Sequence, residues 1–240
     1  MNRDVLQDQL NAFYEKTLSE AIPALISKES RLSFPFLLDI PTAYLAAPVR
    51  IMFVGKETNG WNGRLENFSC SSEAIGQLVK KYQKYRAGPS RSPFTRTLIR
   101  TSKALYGDLS EALLWNNLMK MDWNRGRTDS RSSIDHSQQL SDLSAKLLRF
   151  EVDLLKPDVI IFASGASYDK AIKTTFRDYK TEVVIEKRCF WVFKIGHTVC
   201  YRVRHPGARS GGTLGSTSVY YSKIVADVKS RFPLLQRPGT

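Results

Sequence analysis

The stretch PVRIMFVGKETNGW, residues 48–61, limits the folds open to this chain more than any other. Ile51-Met52-Phe53-Val54 is apolar without alternation, and Gly55 breaks it into a polar loop carrying Glu57, Thr58 and Asn59. A short run of this kind reads as a strand buried on both faces, the pattern of a sheet covered by helices. In open α/β sheets, ligands collect at the carboxyl ends of such strands, so Glu57 stands where chemistry is expected.

The same grammar recurs along the chain. Ala112–Trp115 is a second buried run and leads into Asn116-Asn117. Lys156-Pro157-Asp158 introduces Val159–Ala163, the clearest parallel-type strand. Runs at 182–186, 190–195 and 198–204 follow, the last ending at Arg204-His205-Pro206-Gly207. Helical spacing covers 3–28, with Pro23 marking a break or a new first turn. Further helices are predicted near 73–86, from Pro93 to Gly107, from an Asp135 cap to about Leu155, near 167–177 and over 217–231. Strands alternating with helices predict an α/β fold with a mostly parallel sheet covered on both faces. The length of 240 residues suits a single domain, with 1–48 a helical N-terminal extension and 60–92 a polar insertion.

Charge narrows the partners. The net charge is +13, and two long segments contain no acid. Ala74–Gly107 carries eight bases and Lys187–Ala226 carries seven. Such segments suit a polyanion such as nucleic acid. No run approaches the roughly 18 apolar residues of a membrane span, and the first residues lack a signal-peptide core, so no membrane partner and a cytoplasmic location are expected. Cys70, Cys189 and Cys200 lack metal-type spacing and read as reduced thiols. A phosphate-binding P-loop is excluded, because Arg50 stands where the motif needs its first Gly and Glu57 where it needs Ser or Thr.

Three strand ends then carry the polar residues: Gly55-Lys56-Glu57-Thr58, Asn116-Asn117-Leu118 and His205-Pro206. In a parallel sheet these ends share one edge, and a carboxylate, an amide and an imidazole there suit a polar planar ligand. Taken singly, each has a plainer account: Glu57 as a solvated loop acid, Asn117 as a partner of loop backbone, His205 as a turn residue.

The order GKET, then Pro93-Phe94, LLWNNLMK, KPDVIIFASGAS and RHPGARSGG resembles the uracil-DNA glycosylase superfamily over about 49–230. The resemblance implies a three-layer αβα fold with a short central sheet, and hydrolysis of the N-glycosidic bond of a flipped base. It implies that His205 donates a hydrogen bond to the departing pyrimidine and that Glu57 orients or deprotonates water. Asn117 would read the pyrimidine edge, Phe94 would stack on the base, and Gly55, Thr58 and Asn59 would line its pocket. Phe94 also has a plainer account as a core residue of its helix. Arg209 falls at the intercalating position, and Arg204, Ser210, Arg91, Arg96 and Arg125 are further candidate DNA contacts. The chemistry implies no cofactor and no metal, and a monomer is expected.

Departures from the family pattern shift the expected substrate. Thr58 replaces the usual Pro after the acid, Asn59 replaces the Tyr or Gly that follows it, and the iron–sulfur cysteines of one branch are missing. The 60–92 insertion brings Trp61, Asn62, Arg64, Glu66, Asn67 and Tyr82, a set suited to polar contacts and sugar stacking. These features favour a bulky modified cytosine of phage DNA, hydroxymethylated or glucosylated, and hence anti-phage defence. A uracil-excising repair enzyme and a non-catalytic DNA-binding member of the fold are the alternatives. His136 and His197 lack a surrounding motif and are read as non-catalytic.

Overall fold

The computed structural model of the chain describes residues 2–26, 31–58, 60–87, 92–107, 109–124, 130–131, 138–208 and 212–236. In chain order the elements are α1 (Arg3–Ile26), α2 (Thr42–Ala46), β1 (Ile51–Gly55), α3 (Ser72–Ala87) and α4 (Pro93–Tyr106). Then come β2 (Leu114–Asn117), β3 (Trp123–Asn124), β4 (Ser130–Arg131), α5 (Gln138–Leu155), β5 (Val159–Phe162) and α6 (Asp169–Thr175). β6 (Lys180–Glu186), β7 (Phe190–Ile195), β8 (Thr198–Val203) and α7 (Thr217–Arg231) complete the set. The chain divides into two compact units. Met1–Ile40, Lys56–Gly88 and Asn117–Leu155 make the first; Pro41–Gly55, Pro89–Asn116 and Lys156–Thr240 make the second.

The second unit is built on an α/β sheet of six strands in the order β2-β1-β5-β8-β7-β6. β1, β5 and β8 run parallel, and one layer of side chains crosses them in register: Phe53 opposite Ile161, and Ile161 opposite Tyr201. This layer belongs to a core that includes Leu105 of α4 and Tyr220, Tyr221, Ile224 and Val228 of α7. Burial of each such aliphatic or aromatic side chain is worth about 1.5–3 kcal/mol. On the opposite face, Phe162 packs against Phe176 and Phe193. Every residue of β1, β2 and β5 is buried, as unbroken apolar runs require.

The sequence predicts a mostly parallel sheet; the sheet is mixed. β7 runs antiparallel to β8, and β6 antiparallel to β7. The connections decide this. Only Gly196-His197 separates β7 from β8, and only Lys187–Cys189 separates β6 from β7. Chains reversing within two or three residues can pair only antiparallel, and Gly196 at φ +56° and Arg188 at φ +63° supply the left-handed turns.

Local signals account for the helix ends. Ser92 caps α4 by accepting the Thr95 N–H at 3.1 Å, Pro93 opens it, and Gly107 at φ +61° ends it. β2 begins two residues later than the apolar run predicts, because Ser110–Ala112 winds into a 3-10 turn first.

The first unit is mainly helical and carries the short antiparallel pair β3-β4. α1 continues through Pro23 and buries Leu6, Leu10, Tyr14, Leu18, Ile22 and Leu25 along one side. The spacing of about four residues matches one helix face. α5 answers with Leu140, Leu143, Leu147, Leu148, Val152 and Leu155, and Phe13 stacks on Phe150 with ring centres 3.7 Å apart. Over its described residues, 60–87 and 92, the 60–92 insertion holds a 3-10 turn at Leu65–Asn67 and then α3.

Candidate active site

In the second unit, β8 ends in Arg204-His205-Pro206-Gly207, and four hydrogen bonds fix this turn. The Gly165 N–H donates to the Val203 carbonyl at 2.9 Å, and the Tyr221 hydroxyl to the Arg204 carbonyl at 2.9 Å. The Ala208 N–H donates to the His205 carbonyl at 2.8 Å, and the Gly207 N–H to Nδ1 of His205 at 3.1 Å. Gly165 sits at φ +75°, and a β-carbon there would lie 3.6 Å from the His205 nitrogen. Glycine therefore serves the backbone angle, since a β-carbon at that distance makes only an ordinary contact.

The Gly207 contact carries chemical information. An imidazole nitrogen that accepts a hydrogen bond bears no proton, so the neutral ring holds its proton on Nε2. His205 is thus arranged to donate from Nε2. Phe94, the second residue of α4, lies nearly parallel to the His205 ring, with centres 6.1 Å apart and planes 16° apart. Its other sides meet Phe53 edge-on at 5.4 Å and Trp115 at 5.9 Å. Phe94 is partly buried against the core, as its plainer account expects, and it also lies beside the imidazole.

In the first unit, Lys56, Glu57 and Thr58 follow directly on β1. The Met119 N–H donates to the Lys56 carbonyl at 2.8 Å, so the segment after Asn117 runs beside the one bearing Glu57. Glu57 is half-buried and Thr58 buried. Burial pushes the Lys56 ammonium below its usual range, and the charge of Glu57 pushes it back up. The Thr58 hydroxyl donates to Asp122, and the Gly60 N–H donates to the same carboxylate at 2.7 Å. The Ser33 hydroxyl lies 3.3 Å from that of Thr58 and accepts the Asp122 N–H at 3.0 Å.

Of the other expected site residues, Gly55 closes β1 and Asn117 closes β2, both buried. Neighbouring Asn116 turns its amide onto the Met52 sulfur at 3.5 Å. Arg96 is exposed on α4, Arg204 is half-buried, and His197 is exposed in the β7–β8 turn. Asn59, Arg91, Arg125, Arg209, Ser210 and His136 lie outside the described residues. Among the described residues, no three His, Cys, Asp or Glu side chains are grouped to hold a metal ion, and no helix is long and apolar enough to cross a membrane.

The supports of the site carry little sequence signal. In the sequence Asp122 is a second acid that could share water activation with Glu57, Ser33 is one more serine, and Tyr221 reads as a core aromatic. Their importance comes from contacts across 17 to 89 positions of chain, which no local pattern encodes. Compared with known proteins, the chain matches no family model and no curated protein.

Proposed function

We propose that the protein is a monofunctional DNA glycosylase that removes a modified pyrimidine, with a bulky modified cytosine of phage DNA as the favoured substrate. The observation that carries this reading is His205: a strand-end imidazole whose Nδ1 accepts the Gly207 N–H, leaving Nε2 to donate, with Phe94 parallel to its ring. When the bond between the sugar and the base nitrogen breaks, its electrons pass to the base and charge gathers on the pyrimidine oxygen. A fixed donor lowers the energy of that charge, an effect worth about 3–4 kcal/mol when one such donor is removed. Glu57 holds the attacking water or takes its proton as the water oxygen bonds to the sugar carbon, and its charge favours the cationic sugar. The sugar keeps the hydroxyl, and the proton taken by Glu57 is returned through solvent to the departed base, so that one water is divided between the two products. Asn117 offers a donor and an acceptor to the base edge. The basic segments suit the DNA phosphates.

The test is incubation of the pure protein with duplexes containing uracil, hydroxymethylcytosine or glucosylated hydroxymethylcytosine, with alkali revealing abasic sites. Excision confined to the modified cytosines is expected. Glu57→Gln is expected to slow excision about 10²–10⁴-fold while DNA binding persists. Excision of uracil alone would return the protein to repair. Salt-sensitive binding with no excision from any duplex would make it a non-catalytic binder.

A further inference from the structure

We infer that Asp122 is a positioning residue whose carboxylate locks the segment following Glu57, so that Thr58 and Asp122 together set where the Glu57 carboxylate is held. The inference rests on the glycosylase reading only for its activity arm.

The geometry lies within one compact unit. Asp122 is fully buried, and its two oxygens take the Thr58 hydroxyl and the Gly60 N–H, with the Trp61 N–H at 3.5 Å from the first. All of these donors come from the four residues after Glu57. On the other side of Glu57, the Lys56 carbonyl accepts from Met119 at 2.8 Å. Glu57 is therefore bracketed by two attachments to the same stretch, Met119 and Asp122. That stretch is anchored in turn: the Ser33 N–H donates to the Asp122 carbonyl at 2.8 Å, and the Ser33 hydroxyl accepts the Asp122 N–H at 3.0 Å.

A buried carboxylate without donors is costly, so an Asp at this position is retained only where its oxygens are satisfied. Here the satisfying groups all belong to the loop, which makes the loop's conformation a condition of burying the charge. Asp122 is fully buried and spends its oxygens on its own chain, whereas Glu57 is half-buried, which separates the role of the one from that of the other. The bracket sets position through short chain links: the Met119 contact falls on Lys56 and an Asp122 contact on Thr58, the residues on either side of Glu57. Displacements of about 1 Å at a catalytic group cost on the order of 10²-fold in rate.

The experiment compares Thr58→Val, which keeps shape and removes the hydroxyl, with Thr58→Ser, which keeps the hydroxyl, and adds Asp122→Asn. Single-turnover excision, KM for DNA, the urea midpoint and amide exchange at Gly60 and Trp61 are read for each. Thr58→Val is expected to lower kcat about tenfold or more with KM within about twofold, and Thr58→Ser to restore most of it. Asp122→Asn is expected to speed exchange at Gly60 and Trp61 about tenfold or more, as loss of a charge-assisted acceptor requires. Full activity in Thr58→Val, or unchanged exchange in folded Asp122→Asn, would overturn the inference. Equal loss in Thr58→Val and Thr58→Ser would also overturn it. If the parent protein excises no base, the glycosylase reading fails, and the exchange measurement still judges the lock.

Discussion

Lys120 and Glu151 are both fully buried, with Nζ 2.5 Å from Oε2, while the Tyr14 hydroxyl donates to Oε1 at 2.6 Å. The Leu38 N–H completes the chain by donating to the Tyr14 oxygen at 3.2 Å. Burial drives the Lys120 ammonium below its usual range, and Glu151 opposes that drift. Deleting one member of such a pair strands a charge in the interior and costs about 3–5 kcal/mol. Lys120→Met is therefore expected to lower unfolding free energy in urea by that amount, and Lys120→Met with Glu151→Leu to recover much of it. The pairing was invisible in the sequence. Lys120 reads as the end of NNLMK and Glu151 as one polar position of an amphipathic helix, and 31 positions separate them. The strand-end places of Glu57, Asn117 and His205, by contrast, were legible, because each follows or ends an apolar run. What sequence does not encode is the set of long-range donors that hold such residues.

At the scale of elements, the end of β6 ties down the chain after His205. Glu186 accepts the Tyr220 hydroxyl of α7 at 2.7 Å and the Thr213 N–H at 2.8 Å. The Tyr220 hydrogen bond, then the Thr213 N–H, hold the Glu186 carboxyl down to about 2. Its unfolded value is about 4.3. A carboxyl with a depressed folded pKa binds fewer protons when folded, so its stabilisation is full above the unfolded value and is lost as pH falls through the folded one. Urea midpoints should therefore fall between about pH 4.5 and 2, and Glu186→Gln should remove that share of the slope. Element type was largely readable from periodicity, and strand direction was not. The helices at 93–106 and 217–231 match their predicted ranges, since caps and spacing are local. The antiparallel β6 and β7 escaped because an apolar run says nothing of direction, and in β6 it does not report burial either, since Val183, Val184 and Ile185 are exposed; the two-residue Gly196-His197 link carried the signal of direction.

For the whole molecule, the charge of +13 is the property most open to measurement. Lys80, Lys81 and Lys84 are exposed on α3, and Arg96, Arg100 and Lys103 on α4. Each cation that meets a phosphate releases counterions and contributes about 0.9 to the slope of log affinity against log salt. Changing Lys80, Lys81 and Lys84 together to Gln is expected to reduce that slope by up to about 3, read by fluorescence anisotropy with labelled duplex. Unchanged slope would place the phosphates elsewhere. The two compact units have one further consequence, which concerns inheritance. Six alternating segments make them up, and the chain passes between units at 55–56 and 116–117, beside Glu57 and at Asn117. Neither unit is one continuous stretch of gene. No single cut or fusion point can separate them, and recombination cannot transmit the helical unit without the sheet.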